Sequence, residues 1–392
     1  MGDNFGAVLV IDTDEGFLTA ASELLDGDTG LVARSMSDAK AMVDQRDVSL
    51  VIIGPSYGHE AGIGEGSLLL DADPDLPIIL VSENSGMDVL RAALRAGYKD
   101  VIDAPLTSKN VEDAMATIAR KARRGEVAAT PKSTGGKVIT IMSPKGGAGK
   151  TMVSTNVSVS LSQWTDPGSV CVMDADLQFG DICISLQIEP RHTIVDIARD
   201  LDQLDESLMD SLLAKHPSGL RVLSAPLEPS LADEVSTQVV VKSLAMLKSM
   251  FDYVVVDTAP FLDEPVLSIL ERSDHVLLVV DMDLPSVKNA KLALDTLRLI
   301  KFPFEKIQLV LNRVNSKARL DVGELERSLG LDVKAAISSD KLVPRAVNEG
   351  EPVVSLYPRS RVARDLRGVA RLVAGDVAAD EPADEKGRRW FK

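Results

Sequence analysis

The chain has 392 residues, 45% hydrophobic and 26% charged, the balance of an ordinary soluble globular protein with room for two or three domains. Its two cysteines, Cys171 and Cys183, exclude a disulfide framework and a four-cysteine metal or iron–sulfur site within one chain. The net charge of -16 sets a repulsive field against DNA, RNA and anionic lipid unless a local basic patch overcomes it.

The N-terminus, Met1-Gly2-Asp3-Asn4, lacks the basic region of an export signal, and no uncharged apolar run reaches the ~20 residues of a membrane helix. A cytoplasmic chain is expected. Residues 1–120 then alternate apolar runs with amphipathic stretches. Strands are expected at Ala7–Ile11, Leu50–Ile53, Pro77–Val81 and Asp100–Ile102, with helical patterns at Phe17–Leu25 and Met87–Ala96. Near-continuous apolar strands between helices argue for a parallel sheet covered on both faces. Residues 121–136, KARRGEVAATPKSTGG, have the small, polar, basic composition of a linker. Residues 137–375 form a second α/β block, with strands expected at KVITIM, SVCVMD, LRVLSA, YVVVDT, HVLLVV and IQLVLN. Residues 376–392 lose all periodicity and read as a disordered acidic tail with a basic-aromatic end at Trp390-Phe391.

The strongest signal is Ser143-Pro144-Lys145-Gly146-Gly147-Ala148-Gly149-Lys150-Thr151, between the expected strand Val138–Met142 and a helical segment Thr151–Gln163. That is the setting of a phosphate loop, in which backbone N–H groups at a helix N-terminus surround phosphates. The glycines let the backbone curl and approach anionic oxygens. Ala148 and Met152 complete the expected nucleotide contacts. Lys150 can place its charge on the phosphates, and Thr151 can offer its hydroxyl to Mg²⁺. The usual first glycine of such loops is replaced by Pro144, and an extra lysine, Lys145, stands at the start. Tyr253-Val254-Val255-Val256-Asp257 reads as a Walker B strand, whose Asp257 can accept from Mg²⁺-bound water. Asp174, ending Val172-Met173-Asp174-Ala175-Asp176, is either a turn cap or a Mg²⁺ partner through water.

The form K-G-G-x-G-K-[ST] resembles the deviant loop of the MinD/ParA class of P-loop ATPases. The resemblance implies a doubly wound, mostly parallel P-loop NTPase sheet with ATP and Mg²⁺ as cofactors. It implies that Lys150 acts on its own nucleotide and Lys145 on that of a partner subunit, so that ATP bridges a homodimer. It further implies that Asp176 orients the attacking water. Asn312, in Leu309-Val310-Leu311-Asn312-Arg313, either contacts adenine as in that class or caps a strand end; Arg313 is grouped with it. The class often carries Pro-x-Asp on the following strand, and here the segment is Ile337-Ser338-Ser339-Asp340, with Ser338 in place of proline.

Three further stretches, Leu177–Asp181, Asp283–Ala290 and Val343–Gly350, resemble the CpaE/TadZ family of pilus-assembly and septum-site-determining proteins. That resemblance implies an N-terminal flavodoxin-like receiver domain and a pilus-assembly or division partner. The first block keeps Asp12-Thr13-Asp14 and Ser82. The phosphoacceptor position is Gly54, and Ala104 stands where a receiver has lysine before Pro105. Without a nucleophilic carboxylate no aspartyl phosphate forms, so a pseudo-receiver for docking or dimerisation is expected. Asp12 and Asp14 read as a solvated strand-end cluster or a cation site. In RSRVARDLRGVARLVA, residues 359–374, Val362, Leu366, Val369 and Leu372 share one helix side and Arg361, Arg364, Arg367 and Arg371 the other. This helix packs on the core, or presents a weak contact surface for lipid or DNA. A slow ATP-dependent dimerisation switch is the expected function. The alternatives are a ParA-like DNA-partitioning ATPase and a scaffold that binds nucleotide without hydrolysis.

Overall fold

The computed structural model describes residues 7–25, 30–45, 48–71, 73, 74, 76–83, 86–111, 135–314 and 320–375. The end of the first block (112–120), most of the expected linker (121–134) and the tail (376–392) lie outside them. The chain divides into two compact units, Met1–Lys132 and Ser133–Lys392.

Among the described residues the first unit holds five strands: β1 (Ala7–Ile11), β2 (Gly30–Ala33), β3 (Val48–Ile53), β4 (Ile78–Ser82) and β5 (Asp100–Asp103). All pair in parallel in the order β2-β1-β3-β4-β5, the flavodoxin-like order. Leu9, Val10, Ile11, Val51–Ile53 and Ile78–Val81 are fully buried, which is why these strands read as apolar runs. The edge strand β2 and the helices Met36–Gln45 and Glu60–Gly66 were not among the expected elements. Gly30, Leu31 and Val32 are only half-buried, so β2 lacks the continuous apolar signature of the inner strands.

Asp12 departs from the expectation of a solvated cluster. It is fully buried, and its carboxylate accepts from Asp14 N–H at 2.7 Å, Ser56 N–H at 3.1 Å and the Ser56 hydroxyl. Asp14 is exposed and caps the helix Glu15–Leu24, accepting from Gly16 N–H at 2.8 Å. That cap starts the helix before the expected Phe17.

The second unit adds β6 (Lys137–Met142), β7 (Val170–Ala175), β8 (Ala214–Lys215), β9 (Arg221–Leu223), β10 (Tyr253–Thr258), β11 (His275–Asp281), β12 (Ile307–Asn312) and β13 (Val333–Ala336). Their order is β13-β12-β11-β6-β10-β7-β9-β8, parallel except at the β8–β9 edge. Strand β9 stops at Leu223, short of the expected Ala225, and Ile337–Asp340 follow β13 rather than lying on it. Alternate residues of β11 serve two cores: Val276, Leu278 and Val280 on one face, Leu277 and Val279 on the other. Helices Leu284–Leu299 and Val322–Leu329 cover the first face through Leu294, Leu297, Leu325 and Leu329. Helices Lys150–Trp164 and Arg361–Ala374 cover the second through Val153, Val157, Leu161, Val362, Leu366 and Val369.

The helix Lys150–Trp164 is buried on nearly all sides, so its serines and threonine need internal partners. Thr155, Ser158 and Ser160 each donate to the carbonyl four residues earlier, while the Ser154 hydroxyl reaches Asp257 on β10. On the terminal helix Leu372 is half-buried against the core, while Arg367 donates to Pro358 and Val354 carbonyls at 2.7 and 3.1 Å. The Arg371 guanidinium lies 5.7 Å from the Trp164 ring centre. Arg367 and Arg371 of the expected basic face are therefore engaged by the protein itself. Among the described residues no helix is long and apolar enough to cross a membrane.

Candidate functional site

The strand order switches sides about β6, whose neighbours are β10 and β11. In an open parallel sheet such a reversal leaves a crevice beyond the strand carboxyl ends. Here a cleft of about 1290 Å³ lies there, lined by Gly146, Gly147, Gly149, Lys150, Thr151 and Met152 of the loop. Asp176, Asn312, Arg313 and Ser338–Lys341 also line it.

The loop residues Gly147 and Gly149 have φ of +75° and +91°, the left-handed region that favours glycine. A Cβ at Gly149 would stand 2.6 Å from Asn312 Nδ2, whereas one at Gly146 or Gly147 would meet nothing within 4 Å. The space beside these two residues is open to a ligand. No side chain caps the N-terminus of the helix Lys150–Trp164, which leaves first-turn amides for an anion. Lys150 is buried at this end, with 8% exposure.

The carboxylates form two layers. Asp176 is half-buried on the cleft wall and accepts from Phe179 N–H at 3.2 Å. Asp257 lies behind Thr151, accepting from the Thr151 hydroxyl at 2.6 Å and the Ser154 hydroxyl at 2.8 Å. Burial pushes the Asp257 carboxyl up to about 6, against those two hydrogen bonds and the charge of Lys150. Its register partner on β7 is Asp174. Burial first, and then the Asp257 charge, hold the Asp174 carboxyl well above the usual carboxylate range. Asp174 accepts from Asp176 and Ile182 N–H at 3.2 and 3.1 Å, as a turn cap does. Thr151, with Asp257 behind it, and the uncapped loop amides are a donor set that fits a magnesium nucleotide.

Lys145 is not on the cleft wall. Its amine donates to Asp283 at 2.5 Å, and that contact holds the Asp283 carboxyl below its usual range. Asp283 also caps the helix Leu284–Leu299 through Ser286 N–H at 2.8 Å. Two residues earlier, Asp281 pairs with Arg313 at 2.8 Å, and burial raises its carboxyl despite that partner. Arg313 donates also to Gly147 O at 3.2 Å, Asn312 donates to Ala148 O at 2.8 Å, and Asn289 to Pro144 O at 3.4 Å. Ala148 itself is buried behind the loop. Ser338, in the expected base-binding segment, gives its N–H and hydroxyl to Asp365.

Sequence reasoning assigned no role to Asp281, Asp283, Asn289 or Ser154. Only Asp283 carried a usable signal, an acid ahead of Leu284-Pro285 that reads as a helix cap after a strand.

Residues 136–309 match a family model described as an AAA domain. The septum site-determining protein MinD of Thermotoga maritima is 26% identical over 252 residues, 62% of this chain and 89% of that protein. The sporulation initiation inhibitor protein Soj of Bacillus subtilis is 27% identical over 258 residues, 62% of this chain and 99% of its own length. A ParA family ATPase from Chlorobium tepidum superposes with a TM-score of 0.57 at 26% identity, over 60% of this chain and 98% of that one. The MinD of Pyrococcus horikoshii complexed with Mg-ADP shares the fold, with a TM-score of 0.54 at 21% identity over 62% and 97%. By these likenesses the second unit is similar to MinD and to ParA-family ATPases.

Proposed function

We propose that the protein is an ATP-dependent dimerisation switch that hydrolyses ATP slowly and positions a cellular machine. The observation that carries this reading is the division of labour between two lysines of one loop. Lys150 is buried at the cleft, while Lys145 stands outside it and is held by Asp283. A triphosphate in the cleft then has one loop lysine from its own chain and calls for a second cation from across an interface. The exposed aromatics Phe179 and Phe261, 73% and 64% accessible, line the same cleft and suit a covering surface. Loop amides and Lys150 hold the phosphates; Asp257, through Thr151, sets the magnesium side. Bound Mg²⁺ would offset phosphate charge. Asp176, on the wall and half-exposed, is the residue placed to orient a water. Such a site supplies positioning and charge rather than a strong base, which fits slow turnover.

Relatives named for septum-site determination support a role in placing division or partitioning machinery. The resemblance of Leu177–Asp181, Asp283–Ala290 and Val343–Gly350 to pilus-localising proteins supports a pilus role. In this reading the first unit is a pseudo-receiver that docks the partner. DNA partitioning is disfavoured by the charge of -16 and by the inward engagement of Arg367 and Arg371.

Sedimentation of the wild type, Lys145→Ala and Asp176→Ala with ATP and with ADP tests the switch. The wild type is expected to pair in ATP and separate in ADP. Asp176→Ala should stay paired in ATP, and Lys145→Ala should not pair. Association indifferent to nucleotide in all three proteins would remove the model.

A further inference from the structure

We propose that Asp365, on the terminal helix, is a positioning residue that sets the nucleoside-side wall of the cleft through Ser338, a role that rests on the cleft being a nucleotide site.

The sheet order gives the cleft two unlike ends. The phosphate loop follows β6. Strands β10 and β7, which lead to Asp257 and Asp176, lie to one side of it, and β11, β12 and β13 to the other. With phosphates on the loop amides and the magnesium side toward Thr151 and Asp257, the rest of a nucleotide extends toward β12 and β13. There the wall is Ser338–Lys341, directly before the helix Leu342–Glu349.

This segment has fixed ends. Ile337 is fully buried, its N–H donates to Leu311 O at 2.8 Å, and its carbonyl accepts from Val314 N–H at 3.1 Å. Asp340 accepts from Leu342 N–H at 3.0 Å at the start of the helix. Between them Ser338 is 3% exposed, and both of its donors go to one carboxylate oxygen. Its N–H reaches Asp365 Oδ2 at 3.0 Å and its hydroxyl at 2.5 Å. An ionised acceptor puts these among the stronger hydrogen bonds.

Asp365 is carried on a firm base. Val362, Leu366 and Val369 of its helix are fully buried, and Arg367 ties that helix to the carbonyls of Val354 and Pro358. Without the carboxylate, a buried N–H and a buried hydroxyl lose their acceptor, and the segment must shift to satisfy them. Ser339 and Lys341, exposed on the cleft wall, shift with it. The phosphate loop has separate supports, since Asn312 and Asn289 hold the carbonyls of Ala148 and Pro144. Asp365 therefore acts on the nucleoside part of a ligand and not on its phosphates.

The test is calorimetric titration of Mg-ADP, and of magnesium pyrophosphate, which has no nucleoside, into the wild type and three variants. Asp365→Ala is expected to bind Mg-ADP about tenfold more weakly, with pyrophosphate affinity unchanged. Asp365→Asn keeps an acceptor oxygen and should stay within about threefold of the wild type for both ligands. Ser338→Ala loses the hydroxyl bond but keeps the N–H bond; it should lose about threefold for Mg-ADP alone, and it carries the test if Asp365→Ala does not fold. Equal losses for both ligands would show a general structural role and overturn the proposal, as would unaltered Mg-ADP affinity in the alanine variants. A wild type that binds Mg-ADP no more tightly than pyrophosphate would overturn it alone, leaving the phosphate site standing. If the wild type binds neither ligand, the nucleotide site itself fails.

Discussion

Asp12 in the first unit and Asp257 in the second occupy comparable places, each buried at or just beyond the carboxyl end of a parallel strand. Asp12 is closed off. Its donors are the Asp14 amide and both donor groups of Ser56, and a Cβ at neighbouring Gly54 would stand 2.0 Å from its Oδ2. Asp257 is also hydrogen-bonded, yet one of its donors, Thr151, itself lines the cleft. The glycines beside the two sites carry opposite meanings. Gly54 is small because another side chain fills the space. Gly146 and Gly147 are small where the space is left open. A strand-end carboxylate is therefore a structural clasp or part of a site according to what its hydrogen-bond donors face.

The largest test of that contrast is a pair of identical substitutions. Gly54→Ala forces a methyl into Asp12 and Phe17 and should cost about 3 kcal/mol of first-unit stability. Gly146→Ala enters open space and should leave urea unfolding of the nucleotide-free protein unchanged while weakening ATP binding. Equal effects of the two substitutions on unfolding would break the comparison. Gly54→Asp should be worse than Gly54→Ala, since it adds a like charge beside a buried carboxylate. It should not create a phosphoacceptor, which mass spectrometry after acetyl phosphate treatment would check.

A smaller effect is expected at the edge of the open site. Asp283 holds Lys145 by a partly exposed ion pair, a type of contact worth ~1 kcal/mol or less. Asp283→Ala should free the lysine and lower the ATP concentration for half-maximal pairing about two- to fivefold, read by sedimentation. A higher requirement for ATP would mean that Asp283 aids pairing rather than restraining it.

Both the fold and the loop were legible where the pattern was dense. Near-continuous apolar runs mark β1, β3, β4, β6, β10, β11 and β12 because those strands are buried on both faces. Strands β2, β8 and β13 are short and only partly buried, so they lack that signature. The loop announces itself because its residues are contiguous and chemically constrained. Its supports do not. Asp281, Asn289 and Asn312 come from chain positions far from the loop, and each looks like a strand-end or helix polar residue until the fold brings the two amides to loop carbonyls and Asp281 to Arg313. The roles of Asp12 and Asp174 were likewise undecidable in sequence, since their meaning rests on partners such as Ser56 and Ile182 N–H.

The opposite edge of the second sheet offers the finest test of the closed type. There Asp274 accepts from Val138 N–H at 2.8 Å and Lys248 at 2.9 Å, and His275 Nδ1 lies 3.2 Å from Gln308 Nε2. With the amide donating, His275 is neutral and accepts at Nδ1. Burial, aided by the positive charge of Lys137, lowers its affinity for a proton below the ordinary histidine value. The unfolded chain then binds more protons than the native one just below pH 6.5, so stability falls as pH falls through that window. His275→Gln removes the group that titrates there, and its unfolding free energy should lose this part of the pH dependence between about pH 7 and 5. Nucleotide affinity should be untouched, because this edge is at the far end of the strands from the loop. A change in affinity would show that the two ends of the sheet are coupled, and the distinction between a closed edge and an open one would then no longer separate stability from binding.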